Sequence, residues 1–153
     1  MANIQAICSS FKGDLLNGLH AFGASVIRTT TTKDVFNGAL YLASGSLGAA
    51  TTAYSTTSEV PPSGSYVAGG IAFSTATAPA VSGTGAIFTP SASWTTGPGF
   101  TGTAFDSILM YNATAAGKNA VALYTFGSQT ISAGTFTLTM PVNLTGTALV
   151  QLT

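Results

Sequence analysis

The chain has 153 residues, of which 46% are hydrophobic and 10% aromatic, a composition typical of one folded domain and not of a disordered chain. Only 5% of the residues are charged, four basic and four acidic, so the formal net charge is zero. This excludes a basic surface for nucleic acid and a polybasic segment for an anionic membrane, and it leaves little repulsion between copies of the chain.

The first predicted element is an amphipathic helix from Ile4 to Phe22, with Asn3 as N-cap and Gly23 just past the end. At about 100° per residue, the spacing places most apolar side chains on one side and His20 on the opposite, polar side. The apolar side comprises Ile4, Ile7, Cys8, Phe11, Leu15, Leu19 and Phe22. A helix with such a face must lie against an apolar surface. Cys8 is the only cysteine, which excludes an intrachain disulfide.

The pattern divides the chain into three parts: the helix (residues 1–23), an extended Thr-rich connection (24–35) and a β-sandwich domain (36–153). Because the connection could act as a joint, the helix either docks on a neighbouring molecule or covers the open end of its own domain. In the first case the interface residues are Ile4, Ile7, Phe11, Leu15, Leu19 and Phe22.

After residue 35 the pattern is that of strands. Phe36–Ser44 and Gly134–Pro141 alternate, whereas Ala104–Asn112 and Ala120–Gly127 are apolar on both faces, as in central strands. Further strands are predicted in Gly70–Ala78, from Ala86 to a stop at Pro90, from Trp94 onwards, and in Thr147–Thr153. Eight or nine strands, separated by turns rich in Gly, Ser, Thr and Pro, predict a mainly β fold. We expect a two-layer antiparallel sandwich or jelly roll with one N-terminal helix.

The chain offers little for catalysis or metal binding. The single histidine, His20, and Cys8 would lie about 18 Å apart on the predicted helix, and the few carboxylates are scattered. Gly97–Gly102 matches GxGxxG by letter, but Pro98 removes a phosphate-facing N–H and a strand follows where a helix is needed. We therefore expect no catalytic, cofactor-binding or metal-binding residues and no enzyme.

Glu59 is isolated in a long uncharged region. The sequence favours a carboxylate that binds turn amides or meets Arg28 or Lys33 over a catalytic one. Four aromatic residues could form a platform on which a sugar stacks, although aromatic residues at strand spacing are more typical of a core. They are Tyr66, Trp94, Phe100 and Tyr111.

Four stretches in a fixed order carry a resemblance to a known group of proteins. They are SFKGDLLNGLHAFG, FNGALYLASGSLGAATTAYSTTSEV, GSYVAGG and ILMYNATAAGKNAVALYTFGSQTISAGTFTLTMP. The most specific parts are Glu59 with Tyr66, Gly69 and Gly70, together with the final pair of strands. Over almost its whole length the chain resembles small virion structural proteins of tailed bacteriophages, the head decoration and accessory proteins.

The resemblance implies a structural role in a virion and has no catalytic residues to carry over. We expect a homo-oligomer, for which a trimer is one form, in contact with the major capsid protein or with neck or tail proteins. Because the N-terminus does not resemble a signal peptide, we expect assembly in the host cytoplasm. The expected function is that of a capsid decoration (cement) protein. The alternatives are a neck or tail accessory protein and a carbohydrate- or receptor-binding module.

Overall fold

The computed structural model of the chain describes residues 3–16, 19–20, 22, 33–74, 78–82 and 85–152. In this part the chain is mainly β, with one short helix. The elements are β1 (Ala6–Ile7), α1 (Ser9–Leu16), β2 (Phe36–Leu42), β3 (Ile71–Ala72), β4 (Ala80–Ser82), β5 (Gly85–Phe88), β6 (Ser93–Thr95), β7 (Phe100–Asn112), β8 (Ala120–Gly134), β9 (Thr137–Thr139) and β10 (Val150–Leu152). No helix within these ranges is long and apolar enough to cross a membrane.

The strands form three sheets, and their pairings are antiparallel. The largest sheet has the order β1-β8-β7-β2-β3, a second has the order β10-β5-β4, and β6 pairs with β9. The predicted mainly β, antiparallel fold is therefore confirmed. The two-layer sandwich or jelly roll stays a prediction.

The centre of the large sheet is the long hairpin of β7 and β8. Ile108, Leu109 and Met110 on β7 are at most 1% exposed, and Val121 to Leu123 on β8 are fully buried. The prediction of two central strands, made from their apolar residues on both faces, is confirmed. The alternation around β9 is confirmed as well, because Phe136 and Met140 are buried while Thr137 and Thr139 are exposed.

The predicted helix from Ile4 to Phe22 is wrong in its first turn. Ala6 and Ile7 instead form strand β1, which pairs with Leu123 and Ala122, and α1 covers only Ser9–Leu16. The edge of β8 offers backbone hydrogen-bonding groups that the helix would leave unpaired, and Cys8 N–H donates to the Val121 carbonyl at 3.0 Å. The spacing of Ile4 and Ile7 fits a helix, whereas in a strand residues three positions apart point to opposite faces, and Ile4 is indeed exposed while Ile7 packs against the core.

The N-terminal segment adds the edge strand β1 to the large sheet. Cys8 and Phe11 are 0% exposed and lie in the main hydrophobic core. Of the two alternatives for residues 1–23, the described part lies on its own domain. Most of the predicted connection, residues 24–35, falls outside the described residues.

Asn3 fastens this segment to the centre of the sheet. Its Nδ2 donates to Asp106 Oδ1 at 2.7 Å, to Ser107 Oγ at 2.8 Å and to the Leu42 carbonyl at 3.1 Å. Its Oδ1 accepts from Leu47 N–H at 3.0 Å. Asn3 was expected to cap a helix. It acts instead as a buried bridge between β2, β7 and the loop after β2.

We expect Asn3→Ala to lower the free energy of unfolding by about 2 kcal/mol, because it leaves the part-buried Asp106, Ser107 and Leu47 groups without a partner. Urea unfolding followed by tryptophan fluorescence measures the change. Gln5→Ala serves as control, since Gln5 is exposed and should cost less than about 0.5 kcal/mol. Equal stabilities of the two variants would contradict the bridging role of Asn3.

Candidate functional site

A polar cluster is built around the carboxylate of Glu59. Glu59 Oε2 accepts from the Tyr54 hydroxyl at 2.6 Å, and Oε1 accepts from the Tyr66 hydroxyl at 3.1 Å and from Gly69 N–H at 2.8 Å. We call these four residues the Glu59 network. The interpretation of Glu59 as a carboxylate that binds a turn amide is confirmed by the bond from Gly69.

The Glu59 network is tied to strands β2 and β7. The buried Tyr66 hydroxyl also accepts from Leu40 N–H on β2 at 2.9 Å. The Tyr111 hydroxyl on β7 donates to the Gly69 carbonyl at 2.6 Å, and the ring of Tyr111 stacks on Tyr54 with 4.8 Å between centroids. Lys118 Nζ lies 5.1 Å from the centroid of the Tyr54 ring, within cation–π range. The long connection between β2 and β3 is thus held by contacts with both β2 and β7.

The turn at Gly69 and Gly70 requires glycine. Their φ angles are +88° and +72°, in the left-handed region. A Cβ on Gly70 would lie 1.9 Å from the Gly38 carbonyl oxygen, far inside contact distance. The backbone therefore packs directly against β2, and this close approach brings Gly69 N–H within reach of Glu59.

The chemistry of the Glu59 network favours a fixed anchor over proton transfer. Burial, with the neighbouring Glu59 carboxylate adding to it, raises the pKa of Tyr54 and of Tyr66 well above the ordinary value, so both hydroxyls are neutral donors at physiological pH. Both oxygens of Glu59 already accept from donors of the chain. The arrangement can hold a loop in one conformation.

The other three carboxylates of the chain are also bound by its own donors. In each case the donor is the side-chain amide of an asparagine. The pairs are Asn3 with Asp106 at 2.7 Å, Asn112 with Asp34 at 2.9 Å and Asn119 with Asp14 at 3.1 Å. This pattern was not predicted, since an asparagine and an aspartate far apart in the chain give no local signal of their pairing.

The six predicted interface residues do not form one outward face. Phe11 is fully buried, Ile7, Leu15 and Phe22 pack partly buried against the core, and only Ile4 and Leu19 are exposed, at 69% and 38%. Phe22 stacks on Phe36 with ring centroids 4.4 Å apart. Phe11 is thus part of the core, and the interface role of the six residues stays a prediction.

His20 is not on a polar, exposed side as predicted. It follows the end of α1 and is only 6% exposed, with its ring between Phe11 and Phe36. The expected position was wrong because it extended the helical period past Leu16, where α1 ends. Cys8 lies buried in the core as a small apolar side chain, and burial raises the pKa of its thiol to about 11.

The structure also shows where the other candidate site residues lie. The four aromatic residues considered as a sugar platform are each at most 3% exposed, so none offers a free ring face. Strand β7 follows directly after the Gly97–Gly99 turn, as expected from the interpretation of GxGxxG as a chance match. Among the described residues, no three His, Cys, Asp or Glu side chains are grouped so that they could hold a metal ion.

Comparison with protein-family models, with curated proteins and with solved structures gave no match. The resemblance to virion structural proteins of tailed phages therefore stays a prediction. Its most specific residues, Glu59, Tyr66, Gly69 and Gly70, lie together in the structure, three of them in the Glu59 network and the fourth next to it.

We expect Gly70→Ala to destabilise the protein by about 3 kcal/mol or to prevent folding, because the added Cβ meets the backbone of β2 and φ is positive. Gly127→Ala is the matched control: nothing lies within 4 Å of its added Cβ, and it should be neutral or slightly stabilising. Thermal unfolding measures both variants. A stable Gly70→Ala protein would contradict the described turn.

The tyrosines predict a loss of stability at alkaline pH. Because burial raises the pKa of Tyr66 in the folded state, the unfolded chain loses this proton first as the pH rises. Its contribution is therefore complete below about pH 10 and declines above it. Tyr66→Phe should cost about 1–2 kcal/mol at neutral pH and reduce the slope of stability against pH between about 9 and 11. An unchanged slope in urea unfolding would contradict this role of Tyr66.

Proposed function

We propose that the protein is a non-enzymatic virion structural protein of a tailed bacteriophage, a capsid decoration (cement) protein that stabilises the head through contacts between subunits. It assembles as a homo-oligomer, for which a trimer is one form, and binds the major capsid protein. The two-layer sandwich expected from the sequence is part of this proposal. The neck or tail accessory role is the alternative for the same chain.

The observation that carries the proposal is the use of the carboxylates inside the fold. Each of the four accepts hydrogen bonds from the chain itself, and among the described residues Lys118 lies over the Tyr54 ring. Most exposed residues that the structure describes therefore carry hydroxyl, amide or aliphatic groups, with Lys33 and Lys118 as exposed charged residues among them. Depletion of charge is a mark of surfaces that are buried in protein interfaces. This supports repeated contacts between neighbouring subunits.

The small sheet of β10, β5 and β4 offers an uncharged apolar surface for such contacts. Val81 in the edge strand β4 is 85% exposed. The Ser82 hydroxyl hydrogen-bonds the Thr145 hydroxyl, which places the loop around Leu144 beside β4, and Leu144 is 63% exposed. Exposed apolar side chains on an uncharged edge strand favour association.

Quantitative mass spectrometry of purified particles that carry this chain tests the proposal. A decoration protein should be present in hundreds of copies per particle, whereas six or twelve copies would indicate the neck or tail. Absence from the particle would contradict both virion roles.

A charged surface variant tests the adhesive mechanism. Val81→Lys with Leu144→Lys should reduce incorporation into particles at least about tenfold, because an ammonium group would have to be desolvated in the contact. Val81→Thr with Leu144→Thr is the control, since it adds polarity without charge, and circular dichroism should show both proteins folded. Normal incorporation of the lysine variant would contradict a contact through this sheet.

A further inference from the structure

His20 occupies a buried position between the end of α1 and the turn that joins β7 to β8. Its side chain is fully buried, and its ring lies 5.1 Å from Phe11 and 5.9 Å from both Phe22 and Phe36, measured between centroids. Its Nδ1 is 3.2 Å from Asn112 Nδ2, at the end of β7. This contact joins two parts of the chain that are 92 residues apart.

The orientation of the Asn112 amide is fixed from its other side. Asn112 Oδ1 accepts from Thr114 N–H at 3.0 Å and from Ala115 N–H at 3.1 Å. The Nδ2 group, which can only donate, faces three acceptors: His20 Nδ1 and the Leu19 carbonyl oxygen, each at 3.2 Å, and Asp34 Oδ2 at 2.9 Å. A proton on His20 Nδ1 would point at this amino group, so we assign the neutral tautomer with its proton on Nε2, a buried atom without a hydrogen-bond partner among the described residues.

A second proton on His20 would have to enter at Nδ1, where a donor already points. The protonated ring would then face the Asn112 amide donor to donor, and a flipped Asn112 amide would lose the bonds from Thr114 and Ala115. The charge would also sit among three aromatic rings. Desolvation of a buried cation is costly unless it is well paired.

Two carboxylates face His20, and their negative charge offsets part of the cost of protonating its ring. Asp14 on α1 has its Oδ2 3.7 Å from His20 Nε2, which is too long for a hydrogen bond, and Asp14 is already bound by Asn119. Asp34, before β2, accepts from Asn112 at 2.9 Å. Burial lowers the pKa of His20 despite the attraction of Asp14 and Asp34, in agreement with the geometry.

We propose that the contact between His20 and Asn112 is an acid-sensitive latch that holds Leu19 and His20 on the β7–β8 turn while the imidazole is neutral and releases them when the ring is protonated. The latch acts within one chain. It is independent of the proposed role in a virion.

The sequence makes the latch testable, because His20 is the only histidine. Between about pH 7.5 and pH 5 it is the one side chain whose ordinary pKa lies in the interval, while carboxylates titrate lower. Hydrogen exchange of the full chain, corrected for intrinsic rates, should show protection of the Leu19, Thr114 and Ala115 amides falling at least about tenfold over this interval. Amides in the centre of β7 should lose less protection.

His20→Gln is the matched variant, since its amide oxygen can accept from Asn112 but does not titrate. Its protection at the same amides should not change over this interval. Unchanged protection in the wild type, or an equal loss in the variant, would overturn the proposal. Should the variant fail to fold, NMR titration of His20 in the wild type decides: a midpoint below the ordinary 6.5 supports the latch, and one at or above it overturns the proposal.

Discussion

The structure depends on hydrogen bonds that the chain itself donates to its four carboxylates. Each of the four carboxylates is held by donors of the same chain, and three of them connect segments more than seventy residues apart in sequence. A part-buried carboxylate is stable only where donors compensate its lost hydration. These contacts therefore act as ties between the N-terminal segment, the long connection after β2 and the central hairpin.

The ties explain why a chain with so little charge has a defined conformation at both ends of its large sheet. Asn3 and Asp106 fasten the N-terminal strand beside the hairpin, while the Glu59 network fastens the turn that leads into β3. Between them lies an apolar centre that needs no charge. On ordinary soluble proteins, ionised groups keep the surface solvated and the molecules apart. Here the carboxylates are bound within the chain and contribute less to that repulsion. This is the physical basis of the proposed adhesive role.

Strongly periodic parts of the fold could be predicted from the sequence. The apolar residues on both faces of β7 and β8 indicated central strands, and the alternation around Phe136 indicated a half-buried one. The N-terminal segment could not be predicted correctly, because the spacing of Ile4 and Ile7 fits a helix, and only the free edge of β8 decides in favour of a strand. The spacing of apolar residues depends only on the segment itself. The strand to which its backbone hydrogen-bonds lies elsewhere in the chain.

The candidate site was predictable to a similar extent. The isolation of Glu59 and the nearby glycines indicated a carboxylate that binds a turn, and Gly69 provides that amide. The stacking of Tyr54 on Tyr111 and the three bonds from asparagine to aspartate could not be found, since each joins residues whose proximity depends on the tertiary fold. His20 was misplaced because the helical period was extended beyond the end of α1.

Sedimentation velocity at increasing protein concentration, in low and in high salt, tests most directly whether this charge-poor surface is buried in contacts with other protein molecules. Contacts between aliphatic and hydroxyl groups are not screened by salt. The proposed role predicts a concentration-dependent oligomer that persists at about 1 M NaCl. A chain that stays monomeric at high concentration, or an oligomer that salt dissociates, would contradict it.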